Sequence, residues 1–357
     1  MQNKTKLITM SNAINEALSF SMKKDKNLLC FGLGTTDPKG IFSTTANLEK
    51  KFGKHRVFDV PASENALTGI SVGLSLEKIR SVVSHQRLDF FLLAMDQLVN
   101  NAAKWYFTFS QPVPITIRLI IGRGWGQGPT HSQNLHSWFA HIPGLKVVIP
   151  SNPKDAKDLL ISSIFDPNPV IFIEHRWLHE MVGKINYKTE IKKLDKTGQC
   201  KIIEKGNKLT IVASSYLVHE ARIAARHLRK FNIDCELIDL RVIQPLDWKT
   251  IEKSIKKTGN LLVLDTGSNN LSFASEIVSL VSIKLFKYLK NPPIKLTMPD
   301  VPEPASFGLT KGFYIRPKNI VEEIIKILKI KDVKILKLIE KEPSPHDIPG
   351  SWFKGPF

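Results

Sequence analysis

Cysteine is scarce: Cys30, Cys200 and Cys235 are the only three in 357 residues, far apart and in no metal-ligand spacing. That excludes a disulfide-stapled scaffold and a cysteine-rich metal module, and a reducing, cytoplasmic setting is expected. Long apolar runs are missing too. No stretch reaches the roughly 18 residues that span a bilayer. The opening MQNKTKLITMSNAINEALSF has no unbroken apolar core, so neither a membrane segment nor a signal peptide is expected. Acidic residues are in deficit, 33 against 51 Lys and Arg, for a net charge of +18. Such a surplus invites a phosphate-backbone partner. Its distribution does not: the lysines are scattered, or dense at 192–208 and 326–341, without interleaved aromatics or a recognition motif. No nucleic-acid partner is expected, and an acidic protein partner is the alternative. There is no G-x-x-x-x-G-K-[ST] phosphate loop, no internal repeat and no low-complexity segment.

What is there is alternation. A helical apolar period over 8–23 precedes short apolar runs at 27–32, 57–60, 80–83, 114–119, 145–149 and 170–173, which read as strands. Helical patterns lie between them at 42–52, 66–76 and 90–103, the last expected as one long amphipathic helix. After Pro150, Ser151 or Asn152 caps another whose first turn holds Asp155. A second alternation starts at LTIVASS (209–215) and continues through 218–231, CELIDL, 247–258, NLLVLD and 274–289. Apolar strands alternating with helices predict α/β architecture: two domains, each a mostly parallel sheet with helices on both faces. We place them at 1–185 and 207–330, with a polar Lys-rich linker at 186–206. The remaining 331–357 form an arm whose EPSPHDIPGSWFKGPF ending suggests packing on a partner.

Two places could carry chemistry. Glu64 stands where a strand hands over to a helix, bracketed by the cap-forming Ser63 and Asn65 and followed by small residues. Taken alone it reads more readily as a surface carboxylate favoured by the helix dipole than as a functional acid. His131 ends a Gly-rich loop, GRGWGQGPTHSQN (122–134), with His136 and His141 close behind. The loop by itself is an ordinary tight connection, and the histidine spacing fits no zinc pattern. From the residues alone, the reaction stays open.

Longer stretches narrow it. FGKHRVFDVPASENALTGISVGLSL, AMDQLVNNAAKWYF, PVPITIR, GPTHSQNLHSWFAHIPGLKVVIPSNPKDAKDLL, DPNPVIFIEH, CELIDLRVIQPLD and DVPEP occur in order from about Ser11 to Pro317. Together they resemble the β subunit of the thiamine-diphosphate-dependent first component of 2-oxo-acid dehydrogenases, with transketolase-like pyrimidine-binding and C-terminal domains. The resemblance implies that Glu64 hydrogen-bonds a ring nitrogen of the cofactor's aminopyrimidine. A carboxyl group in a water-poor pocket can stay protonated and donate, favouring the imino tautomer that deprotonates the thiazolium carbon. It further implies that Phe90 packs on the pyrimidine, that Gln86 lies at the cofactor and that His131 contacts substrate or acyl acceptor. A potassium ion is implied at Ile115, Ser163, Ile164, Asp166 and Asn168, where DPNP reads equally as a plain turn.

The GDG…N motif that holds magnesium and diphosphate in such enzymes is missing. The resemblance therefore implies an α subunit carrying that half, an α2β2 assembly joined through the C-terminal domains, and a lipoyl acyltransferase as further partner. Ser84-His85-Gln86-Arg87 departs from the acid-and-aromatic run usual at that point, and Asn269–Glu276 from a glycine-rich segment. Arg87 is accordingly a candidate hook for an acidic or phosphorylated substrate. The expected function is decarboxylation of pyruvate or a related 2-oxo acid with acyl transfer to lipoate. The alternatives are a non-oxidative lyase or two-subunit transketolase-like enzyme on the same cofactor, and a non-catalytic basic scaffold.

Overall fold

The computed structural model describes residues 5–123, 127–331, 334–337, 339 and 345–355. A strand β1 (Thr5–Thr9) leads directly into α1 (Met10–Lys24), whose first turn is capped by the Thr9 hydroxyl. Then come β2 (Leu29–Gly32), α2 (Leu48–Phe52), β3 (Val57–Phe58), α3 (Glu64–Leu76), β4 (Ser81–His85) and α4 (Leu88–Phe91). α5 (Ala103–Phe109), β5 (Ile115–Ile121), α6 (His136–His141), β6 (Lys146–Val148), α7 (Pro153–Ile164) and β7 (Val170–His175) complete the first unit.

The long helix expected at 90–103 is broken. After α4 the chain tightens into a 3-10 turn at Leu92–Ala94 and then widens into a π-helical stretch, Gln97–Ala102. Side chains support the widened turn: Asn101 donates to Gln97 at 2.9 Å and Asn100 to Asp96 at 2.7 Å. Such bulges re-aim a helix face, and they recur beside functional sites. The expected cap on α3 also differs, because Ser63 makes no side-chain bond to that helix. At α7 the expectation holds: Asn152 accepts from the Asp155 amide at 3.0 Å.

The stretch read as a linker is structured. β8 (Val182–Asn186) pairs antiparallel with β1, and α8 (Leu194–Thr197) and β9 (Lys201–Glu204) follow. The second unit then runs β10 (Leu209–Ala213), α9 (Leu217–Arg229), β11 (Cys235–Asp239), β12 (Val242–Gln244), α10 (Trp248–Thr258), β13 (Leu261–Ser268), α11 (Phe273–Lys284) and β14 (Ile294–Met298). α12 (Pro317–Leu328) packs on α9, and a short α13 (Lys334–Lys337) begins the arm.

One sheet has the order β12-β6-β7-β5-β4-β2-β3, the other β14-β13-β10-β11-β9. Both are parallel except at one edge, where β12 and β9 run antiparallel. Strands buried on both faces read as continuous apolar runs, and β5, ITIRLII, is buried at every position. β12 is the surprise: it lies in the chain among second-unit elements yet pairs with β6 of the first sheet. A shared apolar cluster, with Val147 and Ile171 on one side and Leu240, Ile243 and Ile255 on the other, makes the two units one body.

Candidate functional site

In an open parallel sheet, loops leaving the carboxyl ends of adjacent strands meet on one rim. Here β5, β4, β2 and β3 are neighbours in that order. The segments they release are therefore brought together: the loop ending in His131 after β5, Gln86 to Phe90 after β4, the 33–47 loop after β2, and Glu64 after β3.

Glu64 opens α3, half-buried. Its carbonyl accepts the Thr68 hydroxyl at 3.0 Å, while among the described residues no group bonds its carboxylate. α3 packs against 92–102, with Gly69 facing the Gln97 side chain. Phe90 and His131 do meet, edge to face, with ring centres 5.4 Å apart. Among the described residues, no hydrogen bond or ion pair joins either of them to Glu64.

The loop carrying His131 is braced from α4. Asp89 accepts from the Gln133 side chain at 2.8 Å and more weakly from its main-chain amide at 3.3 Å. The His131 amide donates to the Gly128 carbonyl, and its Nδ1 lies 3.0 Å from the Thr130 hydroxyl. Gln86 is half-buried against Gly34, whose left-handed φ of 75° leaves no room for a Cβ beside the Gln86 amide. Arg87 is not the open hook suggested by sequence. It is 3% exposed, donates from Nη1 to the Gly122 carbonyl at 2.9 Å and from Nη2 to Gln127, and burial lowers its pKa. Its geometry is that of a brace.

Beneath the rim lies a buried ionic layer that the strand reading missed. Arg118 of β5 makes two bonds to Glu174 of β7, at 2.6 and 3.0 Å, and reaches Ser84 and Thr44 as well. Burial alone would raise the Glu174 pKa, but Arg118 and His179 overcome it and hold the carboxyl below its ordinary range. The signal was present: one charge within each of two apolar, neighbouring strands. His85 and His175 are buried without a carboxylate, and burial drives them down to about 4 and about 3, so both are neutral at pH 7.

Between the two units, behind the His131 loop, opens a cleft of about 360 Å³ lined by Gln133, Asn134, Thr266, Asp300, Glu303 and Phe313 among others. Glu303, in the DVPEP run, takes a 2.6 Å bond from the Tyr314 hydroxyl, and burial pushes its pKa up to about 7. His136 and Asp265, both fully buried, join the units at 2.7 Å.

The 166–168 turn, part of the stretch expected to hold potassium, touches the approach to β5, where the Pro167 carbonyl receives the Val113 amide at 3.0 Å. The Asp166 carboxylate is already engaged, by Lys146 at 2.7 Å and by the Asn168 amide at 2.9 Å. A cation there would rest on main-chain carbonyls. Among the described residues, no cluster of three or more His, Cys, Asp or Glu could hold a metal ion, and no helix is long and apolar enough to cross a membrane.

Comparison with known proteins gives two family matches: the transketolase pyrimidine-binding domain over residues 6–180 and the transketolase C-terminal domain over 198–320. The chain is similar to the pyruvate dehydrogenase E1 component subunit beta of Acholeplasma laidlawii, 35% identical over 90% of this chain and 98% of that protein. The mitochondrial counterpart of Rattus norvegicus is 34% identical over 90% and 91%. The acetoin:2,6-dichlorophenolindophenol oxidoreductase subunit beta of Bacillus subtilis is 34% identical over 90% and 98%. Among solved structures, a split-gene transketolase, an inactive β4 tetramer, superposes with a TM-score of 0.73 at 18% identity, covering 91% of this chain and all of that one. That likeness concerns the fold.

Proposed function

The chain belongs to the family of pyruvate dehydrogenase E1 beta subunits, built from two transketolase-type domains, and from that membership we infer that it is the β subunit of a thiamine-diphosphate-dependent 2-oxo-acid dehydrogenase. Its substrate is pyruvate or a related 2-oxo acid, and the acyl group passes to lipoate. The observation that carries this reading is Glu64, an unengaged carboxylate on the rim that also presents Phe90 and His131.

Those residues fit half of a cofactor site. When bound, thiamine diphosphate supplies the electron sink for decarboxylation. Glu64 would hold a pyrimidine ring nitrogen and share a proton with it. Phe90 would pack against the ring, and Gln86, one residue past β4, would border it. His131, kept in place by Phe90 and by its bond to Thr130, would move a proton at the substrate or acceptor. Arg87 braces the loop rather than the substrate.

The chain lacks a magnesium motif for the diphosphate, so an α subunit supplies magnesium and that half, in an α2β2 assembly. The C-terminal domains would join the β subunits, and a lipoyl acyltransferase would receive the product. Potassium at Ile115, Ser163, Ile164, Asp166 and Asn168 would stiffen the α7–β7 turn through carbonyl oxygens. Three free thiols suit a reducing compartment, the cytoplasm.

Glu64→Gln tests the reading. The substituted subunit should assemble with its α partner normally, while turnover of the 2-oxo acid falls at least about a hundredfold, the scale of lost acid–base help. Near-normal turnover would remove Glu64 from the mechanism. A wild-type complex that binds thiamine diphosphate but acylates no lipoyl acceptor would remove the dehydrogenase reading.

A further inference from the structure

The arm lies beyond both family matches, the second of which ends at residue 320, and it packs on its own chain. Ile335 and Phe353 are buried in the main apolar cluster, and the Trp352 indole donates to Glu220. Between these anchors the described part of the arm reaches Arg123, Phe307 and Arg316. There two consecutive side chains are used for polar contacts rather than burial. His346 stacks on Phe307 with ring centres 4.0 Å apart and bonds the Phe307 carbonyl at 2.7 Å, while its own carbonyl accepts from Arg316 at 2.9 Å. Asp347 forms an ion pair with Arg123 at 3.0 Å.

Arg123 is the hinge of the argument. It is 5% exposed, and its Nη2 also donates to the Ala305 carbonyl at 3.2 Å, while Nη1 is buried without a partner among the described residues. Ala305 in turn packs on Gly128, where an added Cβ would come within 3.0 Å of the Ala305 methyl. The Gly128 carbonyl receives the His131 amide at 3.0 Å. A continuous path thus runs from Asp347 through Arg123, Ala305 and Gly128 to His131. His346 clamps the same second-unit segment two residues further on, at Phe307.

We propose that the tip of the C-terminal arm, Asp347 with His346, positions the loop that carries His131. Asp347 is a positioning residue and touches no reacting group. Without its carboxylate, Arg123 would lose its ion pair and be drawn toward the Glu303 carboxylate and the Tyr314 hydroxyl, which also face it. Turning toward them, the guanidinium would release the Ala305 carbonyl, and the surface under Gly128 would slacken. The proposal rests on the reading of His131 as an active-site residue only for its catalytic consequence.

The test uses the full chain assembled with its α partner and compares Asp347→Ala, Asp347→Asn, Asp347→Glu and His346→Ala. Amide hydrogen exchange in 127–134 needs no activity and reports the strap directly. It should accelerate at least about tenfold in Asp347→Ala, less in Asp347→Asn, which keeps an acceptor oxygen, and return toward wild type in Asp347→Glu. His346→Ala should accelerate it too. The thermal midpoint should stay close to wild type, because the apolar anchors remain. In the same variants, turnover in lipoyl acylation should fall about tenfold or more with cofactor affinity unchanged, since misplacement by about 1 Å can cost a hundredfold. Wild-type exchange in Asp347→Ala would overturn the strap. Accelerated exchange in a complex whose wild type acylates nothing would uphold the strap and reject the dehydrogenase reading instead.

Discussion

At the scale of single residues, two buried carboxyl groups make measurable predictions. Asp239, at the end of β11, is fully buried, takes a hydrogen bond from Ser151 and faces Asp155; burial first, then that neighbour, push its pKa up to about 7 from an ordinary 3.8. A carboxyl whose folded value is raised favours the native state most below its unfolded value. That contribution is lost as pH rises through the folded value. The thermal midpoint of wild type relative to Asp239→Asn should therefore decline between about pH 4 and 7 and level off above; a constant difference across that window would refute the assignment. Glu174→Gln breaks the buried Arg118 pair and leaves a guanidinium undercompensated. About 3–5 kcal/mol of stability should vanish, read from the urea midpoint. Neither effect is visible in a sequence window, because Arg118 and Glu174 are ordinary charges until β5 and β7 lie side by side.

At the scale of elements, local signals served best where one segment contains its own explanation. Asn152 caps α7 from within four residues, and Asn152→Ala should cost about 1 kcal/mol in equilibrium unfolding. A wild-type midpoint would show that the packing of α7 on α1 carries the helix without its cap. The segment 92–102 was legible as helical but not as broken. Its apolar residues keep an approximate helical spacing, while the widened turn is tied by the Asn100–Asp96 and Asn101–Gln97 side-chain bonds. β9 was hidden for another reason. It is an edge strand with two exposed positions and a Lys-rich sequence, so its pairing with β11 leaves little apolar alternation to read.

At the scale of the whole molecule, the cofactor reading makes this chain half of a site. On that reading Glu64 and Phe90 would face the aminopyrimidine, and the sequence has no GDG…N motif for the diphosphate. The chain alone should thus show no saturable binding of thiamine diphosphate with magnesium in calorimetry, whereas the complex with the α subunit should bind it stoichiometrically. Tight binding by the isolated chain would contradict that division of labour. Large exposed apolar side chains are consistent with a partner. Phe107 is 93% exposed beside the half-exposed Tyr106 and Phe109 on α5, and single apolar residues rarely cluster so on a finished surface.

The α/β alternation, the two units and the positions of Glu64, Phe90 and His131 were determined by the sequence itself. Each rests on a local period or on an ordered run of neighbouring residues. Tertiary structure alone decided that β12 crosses to the first sheet, that Arg87 is buried with its guanidinium on the Gly122 carbonyl, and that the arm returns to its own chain. Those outcomes depend on which distant groups become the nearest buried partners of one another. A buried guanidinium must find its acceptors wherever the fold places them, and only the completed fold brought Asp347 to Arg123, beside the opening stretch of the loop that holds His131.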